Sequence, residues 1–416
     1  MASTQLIDDK IANCFLMKNR NSVPSKKFTN VVINSCDGSE PIQFSDARID
    51  YNTGPSVILA FFWHESICRI MLKKVLSNTI SSDDDLFNCL VSLLQKDDHR
   101  QHLLKLNSFL SEAEIKSVLA HHLFAPLVPS SKFIVDARHK HLTNCFACNE
   151  QSLIGDTSFG HIDTWHGYAD ILIKKSSVKV TVHSVADSEE NDDSCSESEP
   201  KLFQGVDGDP VQLGSDSEES LDSLDLSGLV STEVKVENMN DALPQVFAQT
   251  IVNAFCEVKK NPQLADYYIP SFLASPKCVT IHMYNCQRDR LYSSEDLPIF
   301  DASGKELNFE TIISIWLALN FDRLATTIPD DEFVKAHIPT CNFKNAVSDA
   351  LNLYQNELSK PLKNADCKRT IVRQFDFATE FVTMRTEYLN KMSDSLQNVQ
   401  TLYEQMKGST VQPCFK

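Results

Sequence analysis

The stretch that decides how this chain is read is Gly160-His-Ile-Asp-Thr-Trp-His-Gly-Tyr-Ala-Asp170-Ile-Leu-Ile173, followed after a short turn by Val178-Lys-Val-Thr-Val-His183. Both parts predict extended segments. The second lacks turn formers and is rich in β-branched residues, which fit a pleated, half-buried surface. Asp170 opens the apolar run Ile171-Leu172-Ile173. A carboxylate at the head of a buried strand is costly unless something pairs with it, so its presence points to a site.

Working outward, Lys132–Ala137, Gly160–Thr164, Ala169–Ile173 and Val178–Val182 are expected to be short strands, and the pattern upstream is helical. A helix is predicted over Val57–Val75 and further ones at Asp83–Leu94 and Glu112–Phe124. The last is introduced by Ser111 with Glu114 three residues on, the spacing of a capping box, and is stopped by Pro126 and Pro129. Downstream, the spacing predicts a helix over Asp241–Val258, with Gln245 and Gln249 one turn apart. Cys278–Tyr284 reads as a strand and Arg290–Ser293 as its hairpin partner. Helices are expected over Thr311–Leu324 and Phe343–Leu358, and Phe28–Asn34 alternates well enough for a strand. From Ile371 to Met406, apolar residues recur every three or four positions, so residues 369–406 are expected to form one long helix able to pair with a protein partner.

These readings organise the chain into a flexible arm (1–30), an N-terminal helical region (31–129), an α/β core of the α+β kind (130–186 and 240–300) and a C-terminal helical region (301–416). The core is interrupted by an acidic insert over 187–239. Of the net charge of −17, the segment Asp187–Asp225 holds −13, with fourteen Asp and Glu against Lys201 alone, and the rest of the chain only −4. Such a segment buries too little apolar surface to offset its ordering entropy and is expected to be disordered. Its serines, among them Ser194, Ser196, Ser198, Ser215 and Ser217, lie among acids where a kinase could add charge. The near-neutral remainder leaves a nucleic-acid partner open, although no compact basic patch with interleaved aromatics emerges.

The 11 glycines include neither a G-x-x-x-x-G-K-[ST] nor a G-x-G-x-x-G pattern, which removes the common phosphate-loop classes. The 13 cysteines are scattered, the chain opens Met-Ala-Ser-Thr without a basic and apolar leader pattern, and no apolar run reaches about 18 residues. A reduced, intracellular protein with no membrane partner is expected.

With the insert set aside, the predicted elements run α-β-β-β-α-β. Together with His166-Gly167-x-Ala169-Asp170-Ile171 and Gln245-x-x-x-Gln249-Thr-Ile-Val252, this order resembles the PD-(D/E)XK nuclease-like superfamily, and in particular a group of invertebrate proteins carrying that fold. The resemblance covers about residues 110–295 and implies a restriction-endonuclease-like αβββαβ core with helical extensions. In active members a strand-borne carboxylate and a Glu or Asp of the next strand hold Mg²⁺, and a Lys two residues further helps activate water. Asp170 matches the first position and would be the Mg²⁺ ligand of an active enzyme. Gln249 and Gln245 match a helix-borne Gln that faces the site.

The next strand departs from that pattern: Thr181-Val182-His183 stands where Glu-x-Lys belongs. A hydroxyl and an imidazole do not replace a carboxylate and an ammonium in metal-assisted hydrolysis, so the resemblance implies a vestigial site and no cofactor, with Mg²⁺ only if activity survives. Rival readings are an active Mg²⁺-dependent nuclease centred on Asp170 and an adaptor working through residues 369–406. Glu65, Glu112 and Glu114 are further candidate metal ligands, each with a capping or surface role as the plainer expectation. The literal Glu257-Val258-Lys259 falls at a helix end and is expected to point to solvent. His139-x-His141-x-x-x-Cys145-x-x-Cys148, with His161 and His166 farther along, has zinc-ligand residue types. Its pairs stand closer together than known zinc spacings, so a plain loop is expected there. The His121-His122 pair has no nucleophile context.

Overall fold

The computed structural model describes residues 2–15, 22–77, 85–108, 111–129, 133–136, 144–173, 178–181, 239–324, 326 and 338–362. The acidic stretch 187–239, apart from its last residue, the helix expected over 369–406, His139, His141 and His183 lie outside the described residues. The described residues all fall in one compact unit.

In chain order the described helices are α1 (Ala2–Phe15), α2 (His64–Ser77), α3 (Asp85–Gln95), α4 (Asp97–Leu104), α5 (Glu112–Leu119), α6 (Leu243–Lys260), α7 (Phe309–Leu319), α8 (Phe343–Ala346) and α9 (Leu351–Asn356). The strands are β1 (Lys27–Cys36), β2 (Ile49–Ile58), β3 (Phe133–Asp136), β4 (Ile154–Gly155), β5 (Ser158–Gly160), β6 (His166–Tyr168), β7 (Ile171–Ile173), β8 (Val178–Thr181), β9 (Ile269–Ala274), β10 (Cys278–Asn285), β11 (Arg290–Ser294) and β12 (Leu297–Pro298). This is a mixed α+β architecture.

One sheet runs β2-β1-β11-β10-β9-β8-β7-β3-β4, with β12 pairing off β10, and β5 with β6 forms a separate two-stranded ribbon. From β2 to β9 every pairing is antiparallel, β9 is parallel to β8, and β8, β7 and β3 return to antiparallel. A parallel pair needs a crossover connection, and α6 lies in the segment that joins β8 to β9.

α6 is buried on every side from Val246 to Glu257, so the helix lies inside the molecule and not on its surface. The four-residue step Gln249, Asn253, Glu257 nevertheless makes a polar stripe along it, all three side chains fully buried. Buried polar groups need partners, and that stripe sets much of the local architecture. Phe62 packs edge-on against Phe28, Tyr268 and Tyr292 with ring centroids 5.1 Å apart in each pair, anchoring β1 and β11 to the turn before α2. Edge-to-face pairs of this kind contribute about 0.5–1.5 kcal/mol each beyond their burial.

Several expectations are corrected. Residues 2–15, expected in a loose arm, form α1, whose Ile11 and Phe15 are buried in the core. The helix expected over Val57–Val75 begins only at His64, because Val57 and Ile58 continue β2 against Phe28 and Lys27, and Leu59–Phe61 make a 3-10 turn. The switch from helices to strands expected near Ser130 does not hold: β1 and β2, from the region expected to be helical, share the sheet with β3, β7 and β8. Gly160–Thr164 is not one strand, since β5 ends at Gly160 and the chain turns before β6. Phe343–Leu358 is two short helices.

Candidate functional site

Asp170 sits just before β7 and is buried. Its neighbours follow from strand register. Val135 pairs with Ile171 and the Asp136 N–H donates to Asp170 O at 3.0 Å, so the carboxylates of Asp136 and Asp170 belong to cross-strand neighbours. On the other side Ile171 pairs with Val180, which brings Thr181 to the position across from Asp170.

The partner of the Asp170 side chain comes from α5. Lys116 Nζ lies 2.6 Å from Asp170 Oδ1 and is also ion-paired with Glu112 Oε1, one turn back on the same helix. The Lys116 side chain is fully buried and Asp170 nearly so, while Glu112 keeps some exposure. α5 is placed for this by its N-terminus. Ser111 accepts the Glu114 N–H and the Glu114 carboxylate accepts the Ser111 N–H, the capping box expected from the spacing. Glu114 therefore caps and Glu112 reaches the site. Glu65 stays on the surface of α2, paired with Arg69.

Gln249 reaches the same segment by a different route. It is fully buried, and its Nε2 donates to Tyr168 O at 3.3 Å, two residues before Asp170. Gln245, one turn earlier on α6, is half-buried. Upstream, His166 has Nδ1 2.8 Å from Thr164 O and its backbone N–H on Ile42 O, a buried histidine engaged by main chain. At Gly167 a Cβ would stand 2.7 Å from the Phe44 ring, which explains the glycine by close packing.

Two site elements were not legible as such. Lys116 reads in the sequence as a polar helix position, although Glu112-x-x-x-Lys116 has the spacing of a helical ion pair. Asp136 ends a short strand with no motif around it. Elsewhere, the expectation that Glu257 points to solvent is corrected. Glu257 Oε1 is 2.6 Å from Lys360 Nζ, both side chains are 1 % exposed, and the same ammonium donates to Asn253 Oδ1 at 2.5 Å. Glu257 is thus a structural ion-pair member within the polar stripe of α6. Cys145 and Cys148 lie on one turn, and a ring nitrogen of His121 lies within 4.8 Å of both sulfurs.

Chemically, the arrangement around Asp170 is a buried ammonium held between two carboxylates, with a third carboxylate, Asp136, on the adjoining strand. Comparison with protein-family models, with curated proteins and with solved structures gives no match for this chain. Among the described residues no helix is long and apolar enough to cross a membrane.

Proposed function

We propose that this chain is a non-catalytic protein of the PD-(D/E)XK nuclease-like kind, with a nucleic-acid-associated or scaffolding role. The observation that carries the reading is the ion pair of Asp170 with Lys116: the carboxylate at the expected metal position already holds a buried cation.

The nuclease-like part is supported by the order α5, β3, β7, β8, α6, β9, a helix, three antiparallel strands, a crossover helix and a strand parallel to the third. β4 and the β5–β6 ribbon are additions between β3 and β7. Asp170 stands at the head of the second strand of that series, and Gln249 of the crossover helix binds the backbone beside it.

The non-catalytic part is supported by Thr181 across from Asp170, where a carboxylate would be needed, and by the donor set. Mg²⁺ takes near-octahedral oxygen ligands, binds through one or two carboxylates and keeps several waters. Here Asp170 Oδ1 and Glu112 Oε1 converge on one ammonium that solvent does not reach. The residues present do not fit a Mg²⁺ ion.

The test is incubation of the purified chain with single- and double-stranded DNA and RNA in the presence of Mg²⁺ or Mn²⁺. No cleavage is expected. Cleavage that disappears in Asp170→Ala would replace this reading by that of an active nuclease centred on Asp170.

A further inference from the structure

Cys145 and Cys148 close a turn that is pinned from three sides. Cys145 N–H donates to Glu150 O and Asn149 N–H to Cys145 O, each at 2.8 Å, and Asn149 takes the left-handed φ of 62° that lets the chain reverse. Lys105 Nζ donates to Ala147 O at 2.6 Å, and Phe146 N–H to Ser117 Oγ at 3.2 Å. The turn is therefore fastened to α5 and to the end of α4.

Facing it, α5 widens into a π-helical turn over Ala120–Phe124. Single π turns inside α-helices recur at functional sites, and this one sets His121 and His122 against the cysteines. Ligand atoms of His121, Cys145 and Cys148 all lie within 4.8 Å of one another. His122 Nε2 is 3.5 Å from Cys145 Sγ.

We propose that Cys145, Cys148, His121 and His122 form a tetrahedral zinc site. Two thiolates and two imidazoles favour zinc over the hard cations Mg²⁺ and Ca²⁺. Donors around a tetrahedral zinc stand about 3.3–3.8 Å from one another, given bond lengths of about 2.0–2.3 Å. The edge from His122 to Cys145 already has that length, at 3.5 Å, and the edges among His121, Cys145 and Cys148 lie within 4.8 Å. The supporting contacts also fit. His121 has Ser152 Oγ 2.9 Å from Nε2 and Glu150 Oε2 3.8 Å from Nδ1, so whichever nitrogen takes the metal, the other keeps an orienting partner. His99 Nδ1 stands 3.2 Å from His122 Nδ1, which leaves Nε2 directed at Cys145. Binding displaces the two thiol protons to solvent. The Cys145-x-x-Cys148 half has ordinary zinc spacing, and its histidines come from α5, upstream, in place of His139 and His141. The site stands apart from Asp170 and does not rest on the function proposed above.

Titration of the full chain with Co²⁺, followed by Zn²⁺, tests this. One Co²⁺ per chain should bind with the visible bands of a tetrahedral thiolate complex, and one equivalent of Zn²⁺ should bleach them. Cys148→Ser and His121→Ala should each abolish the bands. Circular dichroism without metal establishes that each variant is folded. Cys68, whose Sγ lies 3.8 Å from His64 Nε2 on α2, is the rival thiol–imidazole pair, and Cys68→Ser should leave the bands intact. Absence of the bands, or their survival in Cys148→Ser or His121→Ala, overturns the site. Their survival in His122→Ala overturns the assignment of the fourth ligand.

Discussion

Lys116 Nζ lies 2.6 Å from Asp170 Oδ1, and neither side chain is open to solvent, so each holds the other's charge inside the protein. Breaking a buried pair from one side costs about 3–5 kcal/mol, because the remaining charge is left without compensation. Lys116→Met should lower the unfolding free energy in urea by about that much. Lys116→Met combined with Asp170→Leu should recover most of the loss, since replacing both partners with apolar groups is often neutral. A single variant as stable as the parent would mean that Asp170 does not depend on Lys116.

The ion pair of Glu257 with Lys360 is a second buried charge system. Lys360→Ala should cost about 3 kcal/mol or more by the same mechanism. Lys259→Ala is the comparison: Lys259 is exposed at the end of α6 and donates to Leu358 O, so its loss should cost no more than about 1 kcal/mol. Equal losses in the two variants, read from urea midpoints, would contradict the assignment of Lys360 as the counter-ion of Glu257.

Gly160 has φ of 116°, and a Cβ there would stand 2.5 Å from Trp165 O. Gly304 also has a positive φ, 69°, with nothing within 4 Å of a Cβ. Gly304→Ala should therefore cost only the left-handed strain, about 1 kcal/mol. Gly160→Ala adds a clash with backbone that cannot rotate away, and should lower the melting temperature distinctly further than Gly304→Ala. Similar shifts would refute the close approach at Gly160.

His282 on β10 is buried with no charged group beside it among the described residues, and burial brings its pKa down to about 3 from the ordinary 6.5. The folded value lies below the unfolded one, so the unfolded chain takes up a proton first as pH falls. Stability is unaffected above about pH 6.5 and is lost progressively between 6.5 and 3. At pH 5 the loss from this residue is about 2 kcal/mol relative to neutral pH. Replacing His282 with Gln should remove that part of the acid dependence, measured as the difference in unfolding free energy between pH 7 and pH 5. An unchanged difference would show that another group is responsible.

How much of this was legible in the sequence depended on whether a residue's surroundings were local. The capping box at Ser111 and Glu114, the strand from Cys278 and its hairpin partner from Arg290 all follow from neighbours in sequence. β2 did not, because its Asp50, Asn52, Gly54 and Pro55 lie on a mostly exposed edge where no apolar alternation is needed. β9 is buried throughout, so Pro270 and Ser271 sit in a run without a period. Asp170 stood out because a carboxylate at the head of an apolar strand demands a partner. The identity of that partner did not, since Lys116 lies 54 residues earlier and only the packing of α5 brings it in. Glu257 was misread for the opposite reason: an outward position on a surface helix is an inward one on a helix buried all round.

The last described residues carry a practical consequence. Ser359 exchanges backbone hydrogen bonds with Gly160, Lys360 neutralises Glu257, and the Leu362 N–H donates to Ser158 Oγ at 2.9 Å. Residues 359–362 thus act as a clasp over the β5–β6 ribbon and the end of α6. A shortened chain meant to ask whether residues 369–406 capture a partner must retain Leu362. Cut before Ser359, it would forfeit the clasp, and lost binding would then report an opened fold and not a missing docking helix.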